Sequence, residues 1–514
     1  MNYPRRSGVL LHPTSLPGRF GIGDLGPAAD RWIDTLVRAR QRLWQVLPLG
    51  PTGFGDSPYQ CFSALAGNPY LVSPERLADD GLLEAAELEA AARDHPSGGA
   101  HDGRIDFGPV IESKLALLDR AFARFRDGHG ALAGAFERFC REHAAWLDDF
   151  ALFMALKRDQ GGRPWTDWDA GLARREPDAL AAARERLALH VESQRFQQFL
   201  FFRQWGAVRE RANAHGIQII GDVPIFVAHD SADVWAHREL FQLDDAGRPT
   251  VVAGVPPDYF STTGQLWGNP LYRWDMHVRS GYAWWLDRLR ATFRMVDIVR
   301  LDHFRGFAGY WEVPAGLPTA EHGRWVTGPG AGFFSAVFAA MPEAPIIAED
   351  LGEITPDVFV LRDQFDLPGM KILQFGFGTG ATNPFLPHNF PKHCIAYTGT
   401  HDNETARGWL ASAPEHERAH ALRYLQCDAA AFPWALIRAA EASVAHTAIV
   451  PLQDVLEQGD EGRMNLPGRP GGNWGWRFRD EDIADWRLER LAEMAELYGR
   501  ADDVPLGEEP PAAS

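Results

Sequence analysis

Eight short apolar runs punctuate the chain, and each ends in polar or acidic residues. They are "GVLLHPTS" (8–15), "RLWQVLPLG" (42–50), "IQIIGDVPIF" (217–226), "MVDIVRLDHF" (295–304), "APIIAEDLG" (344–352), "MKILQFGFG" (370–378), "HCIAYTGTHDN" (393–403) and "TAIVPLQDV" (447–455). Continuous rather than alternating apolar residues suit parallel strands covered on both faces. Helical patterns lie between them, as in "AADRWIDTLVRARQ", "GYAWWLDRLRATF" and "TPDVFVLRDQF", the last with a Thr-Pro start. Two architectures fit: a closed (β/α)8 barrel or an open doubly wound sheet. The pattern predicts the barrel, because eight strands close one and no GxGxxG follows the first run.

The remaining sequence fits one barrel over 1–500 with long inserted segments. Residues 76–200 are rich in Ala, Leu, Glu and Arg at helical period and read as a helical insertion between the second and third barrel strands. Residues 227–280 read as a Pro/Gly/aromatic loop insertion between the third and fourth, and 501–514 as a frayed tail. A net charge of −18 disfavours nucleic acid and anionic membranes as partners. Cys61, Cys140, Cys394 and Cys427 are scattered with no CxxC pair, which suits a reducing compartment and argues against a disulfide framework or a zinc knuckle. The N-terminal apolar run is too short for a signal segment, and no run approaches the ~18 apolar residues of a membrane span. A soluble, cytoplasmic protein is expected. Its 18 tryptophans and 31 phenylalanines fit a rich core with some left for stacking on pyranose rings.

In a barrel, groups at the C-terminal ends of strands converge on one mouth. Those ends supply Asp222, Asp302, Glu349 or Asp350, and Asp402 beside His401. Carboxylates gathered without a His/Cys cluster suit either a hard cation or glycoside chemistry. Residues two apart on a strand share a face, so Arg300 and Asp302 of "RLDHFRGF" should both point into the mouth. A guanidinium beside Asp302 is expected to hold its carboxyl low and ionised, as a nucleophile at an anomeric carbon requires. Glu349, after a wholly apolar run, suits the opposite task of keeping a proton at neutral pH. Asp350 should face the other way.

"LLHPTSLPGRFGIGDLG", "GDSPYQ", "GDVPIFVAHDSADVW", "GVPPDYFSTTGQLWGNPLY", "RLDHFRG", "IIAEDLG" and "YTGTHDN" together resemble the 4-α-glucanotransferases (amylomaltases or disproportionating enzymes) of the α-amylase clan. The motifs run in order from residue 8 to about 478 and are specific jointly rather than singly. The resemblance implies one catalytic (β/α)8 barrel with inserted subdomains and no separate C-terminal β-domain, and a retaining double displacement on α-1,4-glucans, with no cofactor and no metal. By motif position it makes Asp302 the nucleophile, Glu349 the general acid/base and Asp402 the transition-state stabiliser.

Within that resemblance, His303 and His401 either donate to sugar hydroxyls or pack as satisfied histidines. Asp222 either binds a hydroxyl or holds Arg300. Tyr59 of "SPYQ" is the stacking platform for the donor sugar, and Asn473 of "GGNWGW" matches a position near the site. Asp258, Tyr259, Gln265 and Trp267 lie in a loop that either fills core or forms a lid excluding water from the intermediate. The chain departs from the family pattern at Gly378, where an acidic residue is usual; this bears on a donor subsite and not on the chemistry. "GFGTGATN" lacks the GK[ST] of a phosphate loop, and no HExxH or GxSxG is present. An α-glucan hydrolase and a catalytically inert glucan-binding protein are the remaining alternatives.

Overall fold

The computed structural model describes residues 5–94, 104–128, 132–257, 261–469 and 471–501. Twelve strands form among them: β1 (Arg6–Leu10), β2 (Leu43–Gln45), β3 (Gln218–Pro224), β4 (Val251–Val255), β5 (Gln265–Pro270), β6 (Ile298–Asp302), β7 (Gly309–Pro314), β8 (Arg324–Thr327), β9 (Ile346–Ala348), β10 (Gly369–Ile372), β11 (Cys394–Tyr397) and β12 (Thr447–Pro451). Eight of them make one all-parallel sheet in the order β10-β11-β12-β1-β2-β3-β6-β9. The two ends of this sheet meet. The Ala348 N–H donates to the Pro368 carbonyl at 2.9 Å, and the Met370 N–H donates to Asp350 Oδ1 at 2.7 Å. A side-chain carboxylate thus finishes the seam of a nearly closed (β/α)8 barrel, and its eight strands are the eight apolar runs in sequence order.

Every strand is shorter than its run, and what is lost is mostly the polar C-terminal portion. "HPTS" leaves β1 to form a 3-10 turn over Pro13–Ser15, and "EDLG" leaves β9 after Ala348. Those residues are freed from the ladder to build the mouth. Helices Pro27–Arg38, Ala283–Met295 and Pro356–Gln364 cover the barrel where the 3.6-residue period places them, two of them with proline in the first turn. Between β2 and β3 run long helices, including Ala133–Asp159 and Ala188–Ala214, which pack along one another. None of the described helices is long and apolar enough to cross a membrane.

A second, antiparallel sheet in the order β5-β4-β7-β8 stands beside the mouth. Half of it comes from the segment read above as a loop. β5 is "QLWGNP", whose Gly268 and Pro270 disguise a strand as a turn. Tryptophans are mostly core. Trp44, Trp165, Trp205 and Trp235 are fully buried, and each indole N–H donates to a backbone carbonyl at 2.8–3.0 Å.

Candidate active site

Strand register brings the first charges together. Asp222 on β3 is the Cα partner of Arg300 on β6, and Asp302 follows two residues later on the same face. Arg300 Nη1 donates to Asp222 Oδ1 at 2.8 Å, to Asp222 Oδ2 at 2.7 Å and to Asp302 Oδ1 at 2.8 Å. Tyr59, from the loop after β2, donates its hydroxyl to Asp222 Oδ2 at 2.7 Å. The Asp222 side chain is fully buried, and its oxygens accept from Arg300 and Tyr59.

Glu349 follows β9 directly. Its Oε2 accepts the His303 N–H at 2.7 Å and its Oε1 accepts the Leu351 N–H at 2.9 Å. Presenting its N–H there puts His303 in the left-handed region, at φ 51°. For a residue other than glycine this is backbone strain of the kind that persists where the surroundings enforce it. Asp350 turns to the barrel wall, where it also accepts from Arg362 Nη1 at 2.5 Å.

Burial decides the proton inventory. It pushes the Glu349 carboxyl up to about 8, with the Asp302 charge adding and Arg300 opposing. It also pushes Asp302 up, to about 7, against the pull of Arg300. The expectation that Arg300 holds Asp302 low is therefore corrected: one Nη1 serves two aspartates, and a single cation cannot offset desolvation of the whole cluster. The Asp302 side chain is 26 % exposed while Glu349 is buried, so water favours the ionised form at Asp302. When the pair carries one proton, it sits on Glu349.

The third carboxylate, Asp402, lies beyond β11. Its Oδ1 accepts from Asn465 Nδ2 at 2.6 Å, His401 Nε2 stands 3.4 Å from the same oxygen, and its carbonyl accepts from Arg463 Nη2 at 2.8 Å. The side chain is 45 % exposed toward the mouth. The His401 ring stacks on Tyr59 at 5.2 Å with an 18° interplanar angle, and Trp474 packs against both. Burial pulls His401 down, with His12 and Arg300 as buried neighbours; His303 is pulled to about 3 by burial and the Arg305 charge, so both histidines are neutral.

Trp267 on β5 packs edge-on to the His303 ring at 4.7 Å, and Gln265 accepts its indole N–H at 3.2 Å. Asp258 and Tyr259 lie outside the described residues. Asn473 is not on a carboxylate: it accepts the Leu466 N–H at 3.0 Å and donates to the Arg469 carbonyl at 2.9 Å, bracing the loop that carries Asn465. Asn465 was missed in the sequence, since both asparagines sit in one Gly/Pro-rich stretch and only the fold says which reaches Asp402. Among the described residues no His, Cys, Asp or Glu side chains are grouped as metal ligands would be.

A family model described as 4-alpha-glucanotransferase matches residues 11–483. The chain belongs to the 4-α-glucanotransferase family. It is 52% identical over 509 residues to a 4-alpha-glucanotransferase of Thermus thermophilus, covering 97% of this chain and 100% of that one. It is 50% identical over 501 residues to one from Synechocystis, covering 96% and 98%. Among solved structures it is similar to amylomaltase from Streptococcus agalactiae in complex with acarbose, with a TM-score of 0.93 and 40% identity over 97% of this chain and 100% of that one. The chain thus matches these relatives across the barrel, the β2–β3 helices and the small sheet alike.

Proposed function

We propose that Asp302 is the nucleophile, Glu349 the general acid/base and Asp402 the transition-state stabiliser of a retaining glucan transfer. The observation that carries this is the unequal setting of the two carboxyls, which favours one proton on Glu349. Glu349, the more deeply buried carboxyl, keeps it, while Asp302, partly exposed and bonded to Arg300, is free to attack. Asp302 Oδ attacks C1 of the donor sugar as Glu349 protonates the departing glycosidic oxygen, leaving a glycosyl ester on Asp302. Glu349, now a carboxylate, takes the proton from the 4-hydroxyl of an acceptor glucan or glucose. That oxygen forms the new bond to C1 and releases Asp302. Malto-oligosaccharides are donor and acceptor, as the acarbose bound by the Streptococcus agalactiae relative supports.

Asp402 bonds the 2- and 3-hydroxyls of the donor ring as it flattens, and Asn465 holds the carboxylate for that task. Tyr59, stacked on His401, is the flat face under that ring. Neutral His303 and His401 offer hydroxyl-directed N–H groups. Residues 227–280, through Trp267 and Gln265 and with Asp258 and Tyr259 in the same segment, act as the lid that excludes water from the ester. Four free thiols suit a cytoplasmic setting.

The deciding experiment is incubation with maltotriose alone. The expected products are glucose and a ladder of longer oligomers, with no net gain of reducing ends. A gain in reducing ends would mean a hydrolase, and unchanged maltotriose an inert binding protein. Asn465→Ala should lower kcat about 10–100-fold, the worth of one charge-assisted hydrogen bond of ~1.5–3 kcal/mol, with little change in melting temperature. Unchanged kcat would remove Asn465 from the machinery.

A further inference from the structure

Arg305 stands three residues beyond Asp302 and opens the short helix Arg305–Ala308. It is 6 % exposed, yet among the described residues no carboxylate bonds it. Its Nη1 donates to the Glu353 carbonyl, its Nε reaches the Gly309 carbonyl at 3.5 Å, and its guanidinium lies 3.8 Å from the ring centroid of Trp325. A planar fork can stack on an indole and donate in its own plane at once, which a lysine ammonium cannot do. Trp325 sits on β8, the edge of the small sheet, edge-on to Trp311 at 5.2 Å.

The Arg305–Glu353 bond joins two segments that matter to Glu349. His303, two residues before Arg305, donates its N–H to Glu349 Oε2; Leu351, two residues before Glu353, donates to Oε1. Both segments run through left-handed backbone, with His303 at φ 51° and Gly352 at φ 88°. One side chain therefore cross-links the two left-handed turns that present both donors to the same carboxylate.

We infer that Arg305 is a positioning residue for Glu349, acting through the backbone of residues 303 and 351–353 and held by Trp325. This rests on Glu349 being the acid/base. Charged groups facing Glu349 are Arg300 and Asp302 on β6 and its hydrogen-bonding neighbours are the N–H groups of His303 and Leu351; Arg305 in turn faces His303, Glu353 and Asp357. Backbone N–H groups favour the ionised carboxylate, so loosening them raises the pH at which Glu349 gives up its proton.

The test is the pH dependence of kcat/KM for maltotriose disproportionation in Arg305→Lys, Arg305→Ala and Trp325→Leu, with Glu349→Gln as reference. The basic limb should move up by about one pH unit in the Arg305 variants, and less in Trp325→Leu. At pH 7, kcat should fall about 10-fold with KM nearly unchanged, as for a misplaced catalytic group. Arg305→Lys keeps the charge, so a purely electrostatic role would leave it at wild type and overturn the inference. An unmoved basic limb in folded Arg305→Lys and Trp325→Leu would also overturn it. Should the Arg305 variants fail to fold, Trp325→Leu, at an exposed edge, decides alone. A basic limb that survives in Glu349→Gln would instead show that the limb is not Glu349's, and both the acid/base reading and this inference would fall.

Discussion

Asp302→Asn should lower transfer from maltotriose roughly 10⁴–10⁶-fold, the range for loss of a catalytic nucleophile or its orienting carboxylate. The amide has the shape of the carboxylate but no charge with which to form the ester. The fold should tolerate it, because Arg300 Nη1 keeps both contacts to Asp222, at 2.8 and 2.7 Å, and is not left as an unpaired buried cation. Glucan binding, read by tryptophan fluorescence or calorimetry, should stay within a few-fold of wild type. An α-glucosyl fluoride, whose leaving group needs no proton, should not rescue the variant, since what is missing is the attacking atom. Turnover within tenfold of wild type would assign the nucleophile elsewhere.

The acidic limb of the wild-type profile follows from the same residue. Asp302 attacks as a carboxylate, and burial raises its pKa above the ordinary value. Its ionised fraction, and activity with it, is present above that pKa and lost as pH falls through it, so the limb should lie in the neutral range rather than near 4.

The barrel could be read from the chain because its signals are local. Apolar runs of strand length with polar ends recur eight times, and in a parallel barrel those ends must share one mouth. Strand ends alone offer Asp222, Asp302, Glu349 or Asp350, and Asp402 as candidates, and the family motifs select among them. What the sequence concealed depends on contacts between distant segments. Asp222 bonds Arg300 through both oxygens, and Tyr59, 163 residues earlier, shares its Oδ2. Asn465 and Asn473 are equivalent as text, yet one reaches Asp402 and the other braces a loop. Arg300 does pull Asp302 down as its spacing suggests, but the larger opposing push of burial was hidden, because pairing is visible as spacing while desolvation is set by packing in three dimensions. β5 was hidden by Gly268 and Pro270, and with it the sheet that carries Trp267 to His303 and Trp325 to Arg305.

Glu349→Gln should lose about 10²–10⁴ in transfer rate, the usual worth of a positioned acid/base, and should separate the two chemical steps. Glutamine can still accept the His303 and Leu351 N–H groups that now reach Oε2 and Oε1 at 2.7 and 2.9 Å, so the turn over residues 349–353 should keep its shape. With maltotriose the leaving oxygen needs a proton and the first step stalls. With an α-glucosyl fluoride it does not, so the ester on Asp302 should form and then persist, because no base activates the acceptor. Mass spectrometry of the quenched enzyme should find one added glucosyl unit in Glu349→Gln and none in Asp302→Asn. In wild type the acid must be protonated, so activity is present below the Glu349 pKa and lost as pH rises through about 8. In the variant that basic limb should vanish while the acidic limb set by Asp302 remains on the fluoride. If Glu349→Gln turns over maltotriose at near wild-type rate, or accumulates no ester from the fluoride, another group supplies the proton and the division of labour between the two carboxyls is wrong.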